Sequence, residues 1–182
     1  MKFIQSVALL VAAALLSSTA VRAQEMPKPG PEHAKLKEMA GAWTAVVKCT
    51  FEPGKPAQES KGESTGKLDV GGFFLITEFK ATILGMPFQG HGITGYDPFK
   101  KKYVGTWIDS MSPGIFRSEG SFDKSGKILT EMMEGPDEKG KIMKMRIVTE
   151  MKDADHMHFQ MYAQGEKGKE TLMMEIAYTR KK

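Results

Sequence analysis

The chain is poor in the residues that advertise chemistry. Cys49 is the single cysteine among 182 residues, so no internal disulfide forms and stability has to come from packing. Asparagine is absent, which excludes N-glycosylation sequons and leaves the turns to glycine, proline, aspartate and serine. There is no G-x-S-x-G, no H-E-x-x-H and no paired C-x-x-C, so the strong signatures of a hydrolase elbow, a zinc protease and a thiol redox centre are missing. Charge of one sign does not dominate either. Lys and Arg number 26 against 22 Asp and Glu.

Long apolar runs are confined to the N-terminus. Lys2 precedes Phe3 to Leu16, which is almost wholly apolar, and Ser17 to Ala23 is rich in small residues. The run is shorter than the ~18 residues a spanning helix needs, and Val21-Arg22-Ala23 suits a signal peptidase. Residues 1–23 therefore read as a signal peptide cleaved before Gln24, which predicts an exported protein, periplasmic or secreted. No Cys follows the apolar run, which speaks against a lipoprotein anchor. Residues 24–31 carry three prolines and read as an extended leader, and residues 32–182 are long enough for one domain with a real core. Losing Lys2 and Arg22 brings the net charge near +2, which gives no support to a nucleic-acid partner. Lys100-Lys101-Lys102 and Lys181-Lys182 read as a solvated turn and tail. After cleavage no membrane association is expected, and the oligomeric state is left open.

Past the leader, Leu36, Met39 and Ala40 stand at helical spacing within Glu32 to Ala40, predicting a short helix. From Trp43 the period changes to two. Trp43, Ala45, Val47, Cys49 and Phe51 alternate with Thr44, Val46, Lys48 and Thr50, and similar runs recur at about residues 62–70, 73–84, 88–96, 103–110, 115–122, 127–134, 142–151, 156–163 and 171–180. Turn residues separate them: Gly71-Gly72, Asp97-Pro98, Ser112-Pro113-Gly114, residues 123–126, 135–140, 153–155 and 165–168. Short turns make each strand pair with its neighbour in sequence. A meander of about ten strands leaves two open edges unless it closes on itself. The expected fold is therefore all-β, a single antiparallel up-and-down barrel with a short N-terminal helix; a two-sheet sandwich would need longer crossing connections.

Gly41-Ala42-Trp43 directly follows the helix, and Tyr178-Thr179-Arg180 ends the last run. This pair resembles the G-x-W signature and terminal arginine of the calycin superfamily, the lipocalins and fatty-acid-binding proteins. The resemblance implies a lipocalin-like barrel whose base is closed by Trp43 with Arg180 packed across it, a structural role for both. The chain from about residue 32 to 182 also resembles an uncharacterised family of exported bacterial proteins, a domain of unknown function. His33 with Leu36, Gly41-Ala42-Trp43, Gly95-Tyr96-Asp97, Tyr103 to Asp109, Gly120 to Asp123 and Met174 to Lys181 carry that likeness. The likeness implies a fold and a compartment and brings no activity. The usual lipocalin disulfides are missing, as is the glycine-repeat pattern of haem-binding nitrobindin-like barrels, which argues against haem.

Several constellations invite chemistry. Gly90 to Gly95 spells G-x-G-x-x-G, but a dinucleotide site needs a helix opening at its end, and Tyr96-Asp97-Pro98 turns into another strand. Gly90 and Gly92 share one strand face and leave it empty of side chain. His156 and His158 share a face opposite the apolar Met157, Phe159 and Met161, so they are expected outside rather than as a metal pair. The 14 methionines suit Cu(I) thioether chemistry and, more simply, adaptable apolar packing. Cys49 shares its face with Trp43 and Val47, as a buried small hydrophobe would. Tyr103, Gly105, Trp107 and Asp109 line one side of their strand, so Trp107 and Tyr103 are expected as walls of a ligand site and Asp109 as a directional acceptor. Glu78, His91, Arg117 and Glu131 are mid-strand polar groups that an inward orientation would put in the lumen.

The expected ligand-binding set is thus Tyr103, Trp107, Asp109, His91, Arg117 and Glu78, holding a small, largely apolar molecule. No catalytic residue, metal ligand or cofactor is assigned. Two alternatives stay open. One is a lumen enzyme of isomerase or hydrolase type in which His91 works with Asp109 or Glu78, and the other is a periplasmic copper-binding protein.

Overall fold

A computed structural model describes residues 26–50, 56–137, 139–165 and 168–182. The expected signal peptide and Phe51 lie outside the described residues. Residues 26–30 of the leader carry no regular structure, and helix α1 (Pro31–Met39) follows. Proline at its first position costs the helix no hydrogen bond. The backbone N–H of Gly30 donates to His33 Nδ1 at 3.0 Å, so His33 anchors the helix start.

Ten strands then run β1 (Gly41–Cys49), β2 (Gln58–Asp69), β3 (Phe74–Ile83), β4 (Met86–Asp97), β5 (Lys102–Asp109), β6 (Ser112–Phe122), β7 (Ile128–Pro136), β8 (Ile142–Met151), β9 (His156–Gln164) and β10 (Glu170–Arg180). Each pairs antiparallel with its sequence neighbours, and β10 pairs back onto β1 from Trp43 opposite Arg180 to Cys49 opposite Met174. The barrel is closed, so no strand edge stands open. No helix of the described residues is long and apolar enough to cross a membrane.

One turn falls elsewhere than the sequence suggests. Ser112-Pro113-Gly114 is not a turn but the start of β6, and the chain reverses at Ser110-Met111. Asp109 explains the shift, because its Oδ1 accepts from the Met111 N–H at 2.9 Å and closes the reversal early. Gly90 to Gly95 lies wholly inside β4, where no helix follows for a dinucleotide to use.

Alternation sorts the side chains, and the interior divides along the barrel axis. Beneath α1, Leu36, Leu75, Tyr103 and Leu129 form a buried cluster with Met39, Tyr96 and Phe122 against it. The Tyr103 hydroxyl donates to the Glu32 carbonyl at 2.9 Å and ties the helix to β5. Beside it Trp43, Met151 and Met157 pack together. Farther along, Ala45, Val47, Cys49, Phe79, Ile83 and Ile176 form another cluster, where burial pushes the Cys49 thiol up from its ordinary value.

Trp43 and Arg180 meet at the helix end. The Arg180 guanidinium lies 4.0 Å from the centroid of the Trp43 ring. It donates to the carbonyls of Ala40 at 2.6 Å, Glu38 at 2.8 Å and Ala154 at 2.7 Å. Two of these acceptors belong to the C-terminal end of α1, where carbonyls lack helical partners and a cation is favoured. Trp43 Nε1 donates to the Met39 carbonyl at 3.1 Å. Gly41 has φ +117°, and a Cβ there would stand 2.5 Å from an Arg180 nitrogen. Glycine is thus required twice over in the Gly41-Ala42-Trp43 triplet.

Arg180→Ala is expected to cost about 2–4 kcal/mol, summing lost charged hydrogen bonds and ring contact, with Arg180→Lys recovering less than half because an ammonium cannot fork to three carbonyls. Gly41→Ala should cost about 1–3 kcal/mol through backbone strain. Urea unfolding followed by tryptophan fluorescence measures all three.

Candidate ligand cavity

Between the helix end and the far turns the interior is not filled. A cavity of about 450 Å³ runs through the lumen, lined by residues of every strand. Its wall is mostly apolar: Phe79, Phe88, Phe116, Phe159, Ile147 and Ile176, with methionines including Met133, Met143, Met145, Met161 and Met174. The inward phase of β9 is Met157, Phe159 and Met161, which leaves His156 and His158 outside. His156 Nδ1 lies 2.9 Å from Asp153, and His158 Nε2 lies 3.5 Å from Glu175.

Trp107 forms one wall in a way the empty glycine face dictates. A Cβ on Gly90 or Gly92 would run into the indole, so the ring lies across both glycines and occupies the room they leave. Its Nε1 donates to Asp109 Oδ2 at 3.0 Å. Asp109 lines the cavity, but its two oxygens already serve Trp107 and the Met111 N–H. It orients the wall rather than offering a free acceptor.

A second polar pair stands on the neighbouring strands. Ser118 on β6 and Glu131 on β7 are each 9% exposed, and Ser118 Oγ donates to Glu131 Oε1 at 2.9 Å. Two glycines make space for them. A Cβ on Gly105 would stand 2.8 Å from Ser118 Oγ, and one on Gly120 would stand 2.8 Å from Glu131 Cγ. Burial pushes the Glu131 carboxyl above the usual carboxylate range, and only the Ser118 hydrogen bond opposes it. Burial likewise pushes up the phenol of Tyr178, which also lines the cavity.

The six residues expected to bind ligand separate into three groups. Trp107 and Asp109 line the cavity. Tyr103 points inward but sits in the packed cluster under α1, where burial raises its phenol to about 12, so it supports the helix instead of a ligand. Glu78, His91 and Arg117 project from the outer face, opposite in phase to Phe79, Gly92 and Phe116, and a lumen role does not fit that placement. Glu78 and His91 are direct cross-strand partners, so the pairing expected of a carboxylate and this histidine exists on the solvent side. His91 Nε2 lies 3.1 Å from the Gln89 amide. Arg117 stands opposite Glu134 on a surface groove. Lys100 and Lys102 both bind Glu119, at 3.0 and 2.8 Å, so that lysine cluster is partly neutralised. Ser118 carried no signal of its own in the sequence, whereas Glu131 shares the period of Leu129 and Met133.

The family described as Protein of unknown function (DUF1579) matches residues 28–180. The chain belongs to DUF1579. No curated protein matches it. Among solved structures, this DUF1579 barrel is similar to that of Rv2717c from M. tuberculosis, at 12% identity and a TM-score of 0.61, over 84% of this chain and 99% of that one. It is also similar to the S-type phycobiliprotein lyase CPES from Guillardia theta, at 10% identity and a TM-score of 0.53, over 85% and 99%. At such identities the likeness shows the barrel fold alone.

Two outcomes test the cavity wall. Gly90→Ala should displace the Trp107 ring, costing about 1–3 kcal/mol as overpacking does and shifting tryptophan emission to the red. Glu131 carries a sign that can be checked against pH. Its folded value lies above the ordinary 4.5, so the folded state holds a proton that the unfolded state releases. Its presence is without penalty below the unfolded value, and stability falls as pH rises from there toward the folded value. Glu131→Gln should therefore match the wild type in melting temperature near pH 4 and exceed it at pH 7; equal melting temperatures at both would contradict the burial argument.

Proposed function

We propose that this protein is an exported barrel that binds a small, largely apolar molecule in its lumen. The observation that carries the reading is the cavity of about 450 Å³. It falls within the roughly 300–1,000 Å³ of small-molecule sites, with the same mix of apolar wall and few polar groups. Methionine side chains adapt to guests of varied outline, and Trp107, fixed by Asp109 and two glycines, supplies a flat rigid wall. The base made by Gly41, Trp43 and Arg180 is the arrangement that the calycin resemblance implies, and on that ground we group the chain with those ligand-carrying barrels. Export rests on the character of residues 1–23.

The other readings have less support. Among the described residues lining the cavity there is no histidine, so an enzyme built on His91 would have to work on the outer surface. His156 and His158 each face a carboxylate on the exterior rather than converging with the lumen methionines.

The reading is tested by titrating the purified protein with N-phenyl-naphthylamine, a neutral apolar dye, and by native mass spectrometry of protein taken from its own host. Expected are a saturable rise in dye emission with quenching of tryptophan, and displacement of the dye by any co-purified molecule. A barrel that neither takes up the dye nor carries a guest is not a lumen-binding protein.

A further inference from the structure

Among its described lining residues the lumen carries acidic and hydroxyl groups and no cation, and that selects among apolar ligands. Among its described lining residues the groups that titrate are Asp109, Glu131 and Tyr178; no lysine, arginine or histidine faces the cavity. Fatty-acid carboxylates need a cation or several donors when taken out of water. This cavity offers no cation among its described lining residues; besides Ser and Thr hydroxyls it holds a phenol and two carboxyls, which disfavour a further negative charge.

The two carboxyls are not equivalent. Asp109 has both oxygens engaged by Trp107 and Met111. Glu131 has one oxygen engaged by Ser118 and no other hydrogen-bond partner among the described residues, although it is nine-tenths buried and borders the cavity. Its cross-strand neighbours are Gly120 and Ile147, neither of which can offer a charge. A carboxylate in that position would have no counter-ion. A carboxylic acid would accept from Ser118 through one oxygen and have an O–H to donate through the other.

We infer that Glu131 acts as a neutral hydrogen-bond donor to the ligand, so that the lumen takes uncharged apolar molecules bearing an acceptor oxygen, such as an ester, ketone or aldehyde, and rejects carboxylates. This rests on lumen binding as proposed above and names the chemical class bound. Gly105 and Gly120, which leave room for Ser118 and the Glu131 stem, are part of the same device. The recognition involves no covalent step. It is a single directional bond in a mostly apolar surround, where an unmade partner is costly.

Displacement of N-phenyl-naphthylamine by four ligands of one chain length tests it at pH 7: methyl decanoate, decanoate, decylamine and decane. Methyl decanoate is expected to bind about tenfold tighter than decane, the worth of one buried hydrogen bond, and at least tenfold tighter than decanoate. Glu131→Gln, which keeps a neutral donor and the Ser118 acceptor, should retain the ester preference within about threefold. Glu131→Leu should erase the advantage of ester over decane; Ser118→Ala, which leaves the carboxyl in place, should preserve it. Urea midpoints identify any variant that fails to fold, and the ligand series on the wild type alone still decides the matter. Equal binding of ester and decane, or tighter binding of decanoate, overturns the inference while leaving lumen binding intact. Preference for decylamine that disappears in Glu131→Gln overturns it too, since Glu131 would then be an ionised partner. Absence of dye binding altogether removes the lumen reading itself.

Discussion

Everything in this barrel depends on how the Arg180 guanidinium is satisfied. A closed meander has a hydrogen-bonded wall but no built-in floor, and its first and last strands meet far apart in sequence. Arg180 solves both with one side chain. It stands opposite Trp43 across the β1–β10 seam, lies over the indole, and donates to two helix-end carbonyls and one turn carbonyl. The seam, the helix and the β8–β9 turn are therefore held at a single point. Lysine could provide the charge there but not the planar fork.

Fixing the floor also fixes the phase of the walls. With Trp43 inward, β1 must present Ala45, Val47 and Cys49 to the lumen, and register passes the same choice around the barrel strand by strand. Tyr103 and Leu36 are then committed to the packed end beneath α1. Trp107 and Asp109, on the same face of β5 as Tyr103, fall farther along the axis, where packing gives way to the cavity. One strand face thus serves the floor with its first residue and the wall with its last ones.

That phase was legible in the sequence further than the site expectations used it. The strand order follows from period-two alternation and turn residues and the helix from helical spacing, because local pattern and closure agree, whereas the Trp43–Arg180 base is what the calycin resemblance implies. Glu78, His91 and Arg117 are out of phase with Phe79, Phe88 and Phe116 on their own strands, so their outward placement could have been read from neighbours. Glu131 is in phase with Leu129 and Met133 by the same rule. What no pattern conveys is distance: that Asp109 spends its oxygens on Trp107 and Met111, or that the Gly90 and Gly92 face is filled by an indole from β5. Those are contacts across strands, fixed by register and by residues missing a side chain.

The glycines are where register turns into chemistry. Gly90 and Gly92 let an aromatic ring lie flat against β4, while Gly105 and Gly120 let a serine and a carboxyl pack between strands that would otherwise be too crowded. Trp107, Asp109, Ser118 and Glu131 are each held by a hydrogen bond to a neighbour on the same or the adjoining strand or turn, so this part of the wall is preorganised. Asp109 is used up in that rigidity. Glu131 is not, because a single serine satisfies only one of its oxygens and its cross-strand neighbours are Gly120 and Ile147. A buried acid with one oxygen left without a partner, set in a cavity with no facing cation among the described residues, is therefore the least satisfied group of an otherwise mostly apolar wall.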